Sequence, residues 1–250
     1  MHQFFVEPSQ IQGKQIYITG KDVNHIRNVL RMQPGEEISI SNGMDGREYR
    51  CGIERIEEDR IICSLRFIKE EGVELPARVY LFQGLPKADK MELIIQKAVE
   101  LGIHEIIPVA AKRSVVKLEG KKAVQKTIRW QGISEAAAKQ SKRAIIPRVW
   151  EPISFKEAVS CCRNMEIKLI PYELEKGMKV TRELISSLKP GMDIAVFIGP
   201  EGGFAEEEIE LARESGILPV SLGKRILRTE TAGLTVLAWI MYQLEEENIE

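Results

Sequence analysis

The chain has 250 residues, with 36 Lys and Arg against 37 Asp and Glu, a formal net charge of −1, and 44% hydrophobic and 29% charged residues. That length suits one large domain or a small one beside a medium one, and the composition excludes a disordered or collagen-like chain. The balance also excludes a protein coated with basic residues, and the longest apolar stretch, Ala232 to Tyr242, is eleven residues containing Thr235, too short to span a bilayer.

At the N-terminus, Met1 to Glu7 lacks the basic region, apolar run and cleavage site of a signal peptide, so a cytosolic protein is expected. The first seventy residues read mainly as strands. One short helix is predicted with Val23, Ile26 and Leu30 on one face, ended by Pro34-Gly35. Ile38 and Ile40 then alternate up to a turn at Asn42-Gly43; Tyr49, Cys51 and Ile53 alternate next, followed by Ile61, Cys63, Leu65 and Phe67. Short strands around one helix predict a compact β-barrel module. The polar stretch Lys69 to Pro76 reads as a linker.

Beyond it strands alternate with helices. Val79 to Gln83 is a buried-type strand. A helix begins near Asp89, with Glu92 placed for a capping box, and buries Met91, Ile94, Ile95, Ala98 and Leu101 before Gly102 stops it. Ile103 to Val109 is a strand, and a basic helix covers roughly 121–141. Between Lys112 and Arg148 there are eleven Lys or Arg and two acids. This segment is either a solvated face or an RNA contact, because screening cuts off the distant acids that balance it. Further strands are Ile167 to Ile170, Ile194 to Ile198 and Leu218 to Leu222, with helices near 154–162, 180–188, 205–215 and 231–245. Such alternation predicts a mostly parallel sheet covered on both faces. The four cysteines have no C-x-x-C spacing and only three histidines accompany them, so reduced buried thiols and no metal site are expected.

Ligands of open α/β sheets bind where loops leave the strand ends. Two such exits are chemically unusual. Ile198-Gly199-Pro200-Glu201-Gly202-Gly203-Phe204 has three glycines in five residues, which allow close approach to a flat ligand or simply a tight turn. It is neither a dinucleotide fingerprint nor a phosphate loop. Leu222-Gly223-Lys224-Arg225-Ile226-Leu227-Arg228-Thr229-Glu230-Thr231-Ala232 enters the most apolar helix. Thr229 or Thr231 as a cap and Glu230 on the helix dipole explain part of it, but not Arg228.

These two segments resemble the paired C-terminal motifs of the 16S ribosomal RNA (uracil-N3)-methyltransferase family, within the SPOUT superfamily of trefoil-knotted methyltransferases. His25-Ile26-Arg27-Asn28-Val29-Leu30-Arg31, Lys87-Ala88-Asp89-Lys90-Met91-Glu92, Gln96 to Gly102, Arg113-Ser114-Val115-Val116 and Gln140-Ser141-Lys142-Arg143 are similar to further family segments, in order along almost the whole chain. Two positions depart from the pattern: Lys139 stands where an acid is usual, and Ala205 where a helix-capping hydroxyl or Asp is usual.

The resemblance implies an α/β fold: a PUA-like RNA-binding β-barrel over 1–72 and a SPOUT α/β-knot methyltransferase domain over 73–250. It implies S-adenosylmethionine as cofactor, held by Ile170, Pro171, Ile198, Gly199, Pro200, Glu201, Gly202, Gly203, Leu222, Gly223, Ile226, Leu227, Arg228, Thr231 and Ala232, chiefly through backbone amides and apolar contact. Arg228 would stabilise an anionic uracil ring, with Glu230 or Glu201 as proton acceptor or orienting group. RNA would meet His25, Arg27, Arg31, Lys112, Arg113, Lys121, Lys122, Gln140 and Arg143. The expected partners are 16S ribosomal RNA within an assembled small subunit and a second copy of the chain in a homodimer; no metal and no membrane are called for. The alternatives are another SPOUT RNA methyltransferase, such as a ribose 2′-O enzyme acting on transfer or ribosomal RNA, and a non-catalytic RNA-binding assembly factor. A nucleotide-dependent oxidoreductase lacks its fingerprint.

Overall fold

A computed structural model describes residues 1–69 and 72–245. Two compact units emerge, Met1–Glu74 with Ala138–Ile146, and Leu75–Ala137 with Pro147–Glu250. In the first, strands β1 (Gln3–Phe5), β2 (Ile11–Gln12), β3 (Gln15–Thr19), β4 (Glu37–Ser41), β5 (Glu48–Ile56) and β6 (Arg60–Lys69) form one curled PUA-like sheet in the order β1-β4-β5-β6-β3-β2. Only the β1–β4 pairing is parallel. The predicted alternation holds because Ile38, Ile40, Cys51, Ile53, Ile61 and Cys63 all turn into one core with Phe4, Ile16 and Ile18. The strands β1 and β3 were not visible as periodic runs.

The predicted helix is two pieces: α1 (Lys21–Asn24) and a π-helical turn, His25–Val29, where the Leu30 amide donates to the His25 carbonyl at 2.8 Å. Arg31, at φ 53°, ends it three residues before Pro34. Within this unit the buried Arg143 donates from Nε to Glu74 Oε2 at 2.9 Å, and the amides of Ala144 and Ile145 donate to Glu74 Oε1 at 3.1 and 3.2 Å. Lys139 pairs with Asp22 at 3.3 Å, so the unusual base answers an acid on α1. Of the stretch read as a linker, Glu70 and Glu71 lie outside the described residues, as do the glutamates beyond Glu245.

The second unit alternates β7 (Arg78–Gly84), α2 (Lys90–Glu100), β8 (Glu105–Ala110), α3 (Gly120–Gln140), β9 (Arg148–Val149), β10 (Ile153–Ser154), α4 (Phe155–Cys161), β11 (Ile167–Pro171), α5 (Lys179–Ser186), β12 (Asp193–Ile198), α6 (Glu206–Glu214), β13 (Leu218–Val220) and α7 (Thr229–Leu244). All pairings are parallel, in the order β10-β8-β7-β12-β11-β13, with β9 on β8. Central β7 and β12 are apolar on consecutive residues because both faces are covered. Phe82 and Phe197 stack at 4.4 Å between ring centroids, with Phe155 edge-on to Phe197 at 5.9 Å.

Several local expectations are corrected. Asp89 makes no side-chain cap on α2, and Glu92 instead bridges Arg129 at 2.8 Å. Leu101 is half-buried while Val99 is buried. Ala205 does lack a cap, but Glu208 accepts the Ala205 amide at 2.8 Å and the Lys112 amide at 2.8 Å, filling half of a capping box from inside the helix. Cys51, Cys63 and Cys162 are buried, burial pushing the first two thiols up to about 12 and the third to about 11, whereas Cys161 is exposed. No described helix is long and apolar enough to cross a membrane.

Candidate active site

Strands β11, β12 and β13 are parallel neighbours, so the segments leaving them emerge at one end of the sheet. There they enclose a cavity of about 480 Å³. Its walls come from Pro171 to Glu175, Ile198 to Phe204, and Ser221 to Ala232, with Lys90 from the start of α2.

The Ile198–Phe204 turn is fastened from behind. Thr229 Oγ1 donates to the Gly199 carbonyl at 2.6 Å and accepts from Gln83 Nε2 at 2.9 Å, and Gln83 Nε2 also donates to the Gly84 carbonyl at 3.0 Å. Gln83 and Thr229 are both buried. Gly84 must be glycine, because a Cβ there would lie 2.5 Å from Pro200 Cδ. The second segment is fastened by α5: Thr181 Oγ1 donates to the Ser221 carbonyl at 2.8 Å, and Ser221 Oγ accepts the Gly223 amide at 3.2 Å. Gly203 and Gly223 have φ of 67° and 109°, and a Cβ at either would meet no atom within 4 Å. The tight-turn reading fits the left-handed backbone at Gly203, whose face is open like that of Gly223, whereas a Cβ on Gly199 would crowd Gly203 at 3.1 Å and one on Gly202 would crowd Arg113 at 3.2 Å.

Glu201 receives Lys90 Nζ at 2.8 Å and the Lys87 amide at 3.2 Å. Partial burial pushes its carboxyl up, but the hydrogen bonds from Lys90, its own amide and the Lys87 amide outweigh that and hold it below the usual carboxylate range. A carboxylate so engaged is a weak base. The ammonium of Lys90, raised by its bond to Glu201, also lies 3.5 Å from Glu230 Oε2. That oxygen is buried and has no hydrogen bond of good geometry, so the ion pair is a loose one.

Of the residues expected to hold a cofactor, Pro171, Ile198, Gly199, Pro200, Glu201, Gly203, Leu222, Gly223, Ile226, Leu227, Arg228 and Ala232 line the cavity. Three do not. Ile170 is fully buried in the core, Thr231 is exposed on the first turn of α7, and Gly202 turns to Arg113, whose Nη1 donates to its carbonyl at 3.2 Å. Arg228 is the N-cap residue of α7 rather than Thr229 or Thr231; its side chain is exposed and makes no hydrogen bond or ion pair among the described residues. Glu230 stands behind Lys90, outside the cavity wall. Sequence reasoning missed Lys90, Gln83, Thr181 and Ser221 as site elements, and took Thr229 only for a cap.

Among the residues expected to meet RNA, His25, Arg27, Arg31 and Gln140 are exposed in the first unit, where the Lys139–Asp22 bridge brings the end of α3 to α1. Lys121 and Lys122 are exposed on the first turn of α3, Lys112 is exposed but bridged to Glu207, and Arg113 is bonded as above. Arg143 is the correction: enclosed and bonded to Glu74, it is withdrawn from any RNA surface.

The family model described as an RNA methyltransferase domain matches residues 73–241, and that described as an RNA methyltransferase PUA domain matches residues 18–66. Ribosomal RNA small subunit methyltransferase E of Bacillus subtilis is 40% identical, with 98% of each chain covered. The chain belongs to the ribosomal RNA small subunit methyltransferase E family. The family protein of Synechocystis is 31% identical over 98% of this chain and 78% of its own. The crystal structure of the family member from Neisseria gonorrhoeae bound to S-adenosyl methionine has a TM-score of 0.83 and 32% identity, covering 97% of both chains.

Proposed function

We propose that this chain transfers a methyl group from S-adenosylmethionine to ring nitrogen N3 of a uridine in small-subunit 16S ribosomal RNA. The observation that carries the reading is the cavity of about 480 Å³ at the parallel strand ends, with two open glycine faces and an unpaired guanidinium at its rim. Its volume is within the common range for small-molecule sites, roughly 300–1,000 Å³. Ile198, Leu222, Leu227 and Ala232 offer an apolar wall and Gly203 and Gly223 admit a flat ring, so the residues present fit an adenosyl ligand. When bound, that cofactor supplies an electrophilic methyl group.

The chain's own residues then have distinct tasks. Uracil N3 carries a proton and becomes a competent nucleophile only when that proton leaves. Arg228, permanently charged and unspent on any partner, stabilises the resulting negative charge on the ring and its oxygens. Glu201 is already committed to Lys90 and two amides, and Glu230 stands behind Lys90 outside the cavity wall, so both carboxylates orient Lys90 and the N3 proton leaves to solvent. The proposal extends to a trefoil threading of the C-terminal segment, an RNA-binding role for the first unit with a division near residue 72, and action in the cytoplasm. It includes a homodimer, supported by α7, where Tyr242 is 81% exposed beside half-buried Leu234, Trp239 and Met241.

The test is incubation of the protein with labelled cofactor and either small subunits or naked ribosomal RNA, followed by mass-spectrometric mapping. Label on a uracil ring nitrogen is expected. Label on a ribose oxygen would transfer the chain to the 2′-O reading, and cofactor binding without any labelled RNA would end the methyl-transfer reading.

A further inference from the structure

Ile226 is 88% exposed, more than any other large hydrophobic side chain among the described residues. A lone exposed isoleucine is ordinary. This one stands at the rim of the cavity between Lys224, Arg225 and Arg228, all exposed and all without a hydrogen bond or ion pair among the described residues. Of the three acids that share the cavity, Glu201 holds Lys90 and Glu175 holds Arg213, while Glu173 is exposed and makes no ion pair with these cations. The segment is also fastened at both ends. Thr181 fixes the Ser221 carbonyl at one end, and Thr229 is tied to Gly199 and Gln83 at the other. A chain held at its two feet thus displays an apolar tip flanked by free cations.

That combination matches an unstacked nucleic acid strand. Cations take the phosphates, and an apolar side chain packs against the base face exposed when a neighbour leaves the stack. N3 lies on the pairing edge of uracil, so a uridine methylated there must leave its pair and stack to reach a cavity. We infer that Ile226 is a wedge that packs against the base next to the target uridine, while Lys224 and Arg225 hold the flanking phosphates. The inference rests on the methyl-transfer reading of the same cavity. It leaves the backbone of Ile226 available to the cofactor, since the side chain faces solvent.

The test uses the full chain, S-adenosylmethionine, small subunits and a ribosomal RNA fragment carrying the target uridine in unmethylated form. Wild-type transfer is scored first, and its absence overturns this inference together with the reading beneath it. Given transfer, Ile226→Ser is expected to slow single-turnover methylation about tenfold or more, with cofactor affinity by calorimetry within about twofold, and Ile226→Leu to restore most of the rate. Lys224→Gln with Arg225→Gln should reduce the slope of log affinity for RNA against log salt by roughly 1.4, at about 0.7 per single-strand phosphate contact. Weaker cofactor binding by Ile226→Ser would make the side chain a cofactor cover, and dissociation in sedimentation would make it a subunit contact. Either result overturns the wedge alone, as does an unchanged rate.

Discussion

A guanidinium with no partner keeps its whole capacity to stabilise developing charge, and among the described residues Arg228 has none at the cavity rim. Arg228→Ala is expected to slow single-turnover methylation by on the order of 2.7–4 kcal/mol, about a hundredfold to a thousandfold, as for loss of one preorganised donor. Arg228→Lys keeps charge but loses the planar fork, so turnover should fall further than cofactor affinity does. A variant with near-normal turnover removes Arg228 from the chemistry. Arg143 is the opposite case: the same side-chain type, but enclosed, with Glu74 accepting from its guanidinium and from two amides. Glu74→Ala removes the carboxylate that accepts from the buried guanidinium and from two amides, so urea unfolding should show a loss of about 1–3 kcal/mol. An unfolding midpoint equal to wild type would mean that water replaces the carboxylate there. Residue type alone separated neither arginine from the other, because burial is decided by what the chain folds against.

At the scale of elements, the site depends on how two loops are fastened. Thr229→Val removes the hydroxyl that joins Gln83 to the Gly199 carbonyl and should lower stability by about 1–3 kcal/mol, with weaker cofactor binding; Thr229→Ser should restore both. Equal affinity in the Val variant would show that the turn holds its shape unaided. The carboxyl of Glu201 is held below its ordinary value of 4.5, so the stability it adds is present at neutral pH and is lost as pH falls through the lowered value. Chemical denaturation at falling pH should therefore show a steeper acid-side loss in wild type than in Glu201→Gln. Identical profiles would assign the acid sensitivity elsewhere. Much of this architecture was legible in sequence: the apolar runs at Val79 and Ile194 marked buried strands, and the spacing of Met91, Ile94, Ile95 and Ala98 marked α2. Two-residue strands such as Arg148–Val149 are too short to show a period, and Val23, Ile26 and Leu30 fit a π turn as well as an α turn. The glycine-rich and Arg-Thr-Glu-Thr segments marked both loops, but their fastenings did not show. Gln83 and Thr229 are 146 residues apart, and Lys90 and Glu201 are 111 apart, so no local pattern pairs them.

For the whole molecule, a formal net charge of −1 conceals free cations where RNA is expected. Lys121 and Lys122 are exposed on the first turn of α3, and Lys126 is half-buried one turn on. Changing all three to Glu should weaken RNA binding and flatten its salt dependence, with cofactor affinity nearly unchanged, because fewer counterions are released on binding. An intact salt slope in filter-binding titrations would reduce the segment to a solvated face. The ion pair between Glu74 and Arg143 also has a bearing on synthesis. Its partners are 69 residues apart, and Ala138–Ile146 is part of the first compact unit although it follows most of α3 in sequence. At about 5–20 residues per second, Arg143 follows Glu74 out of the ribosome by roughly 3–14 s. The N-terminal unit is therefore incomplete when its own strands have emerged, and a nascent chain halted shortly after Glu74 should be more open to protease than one extended past Ile146.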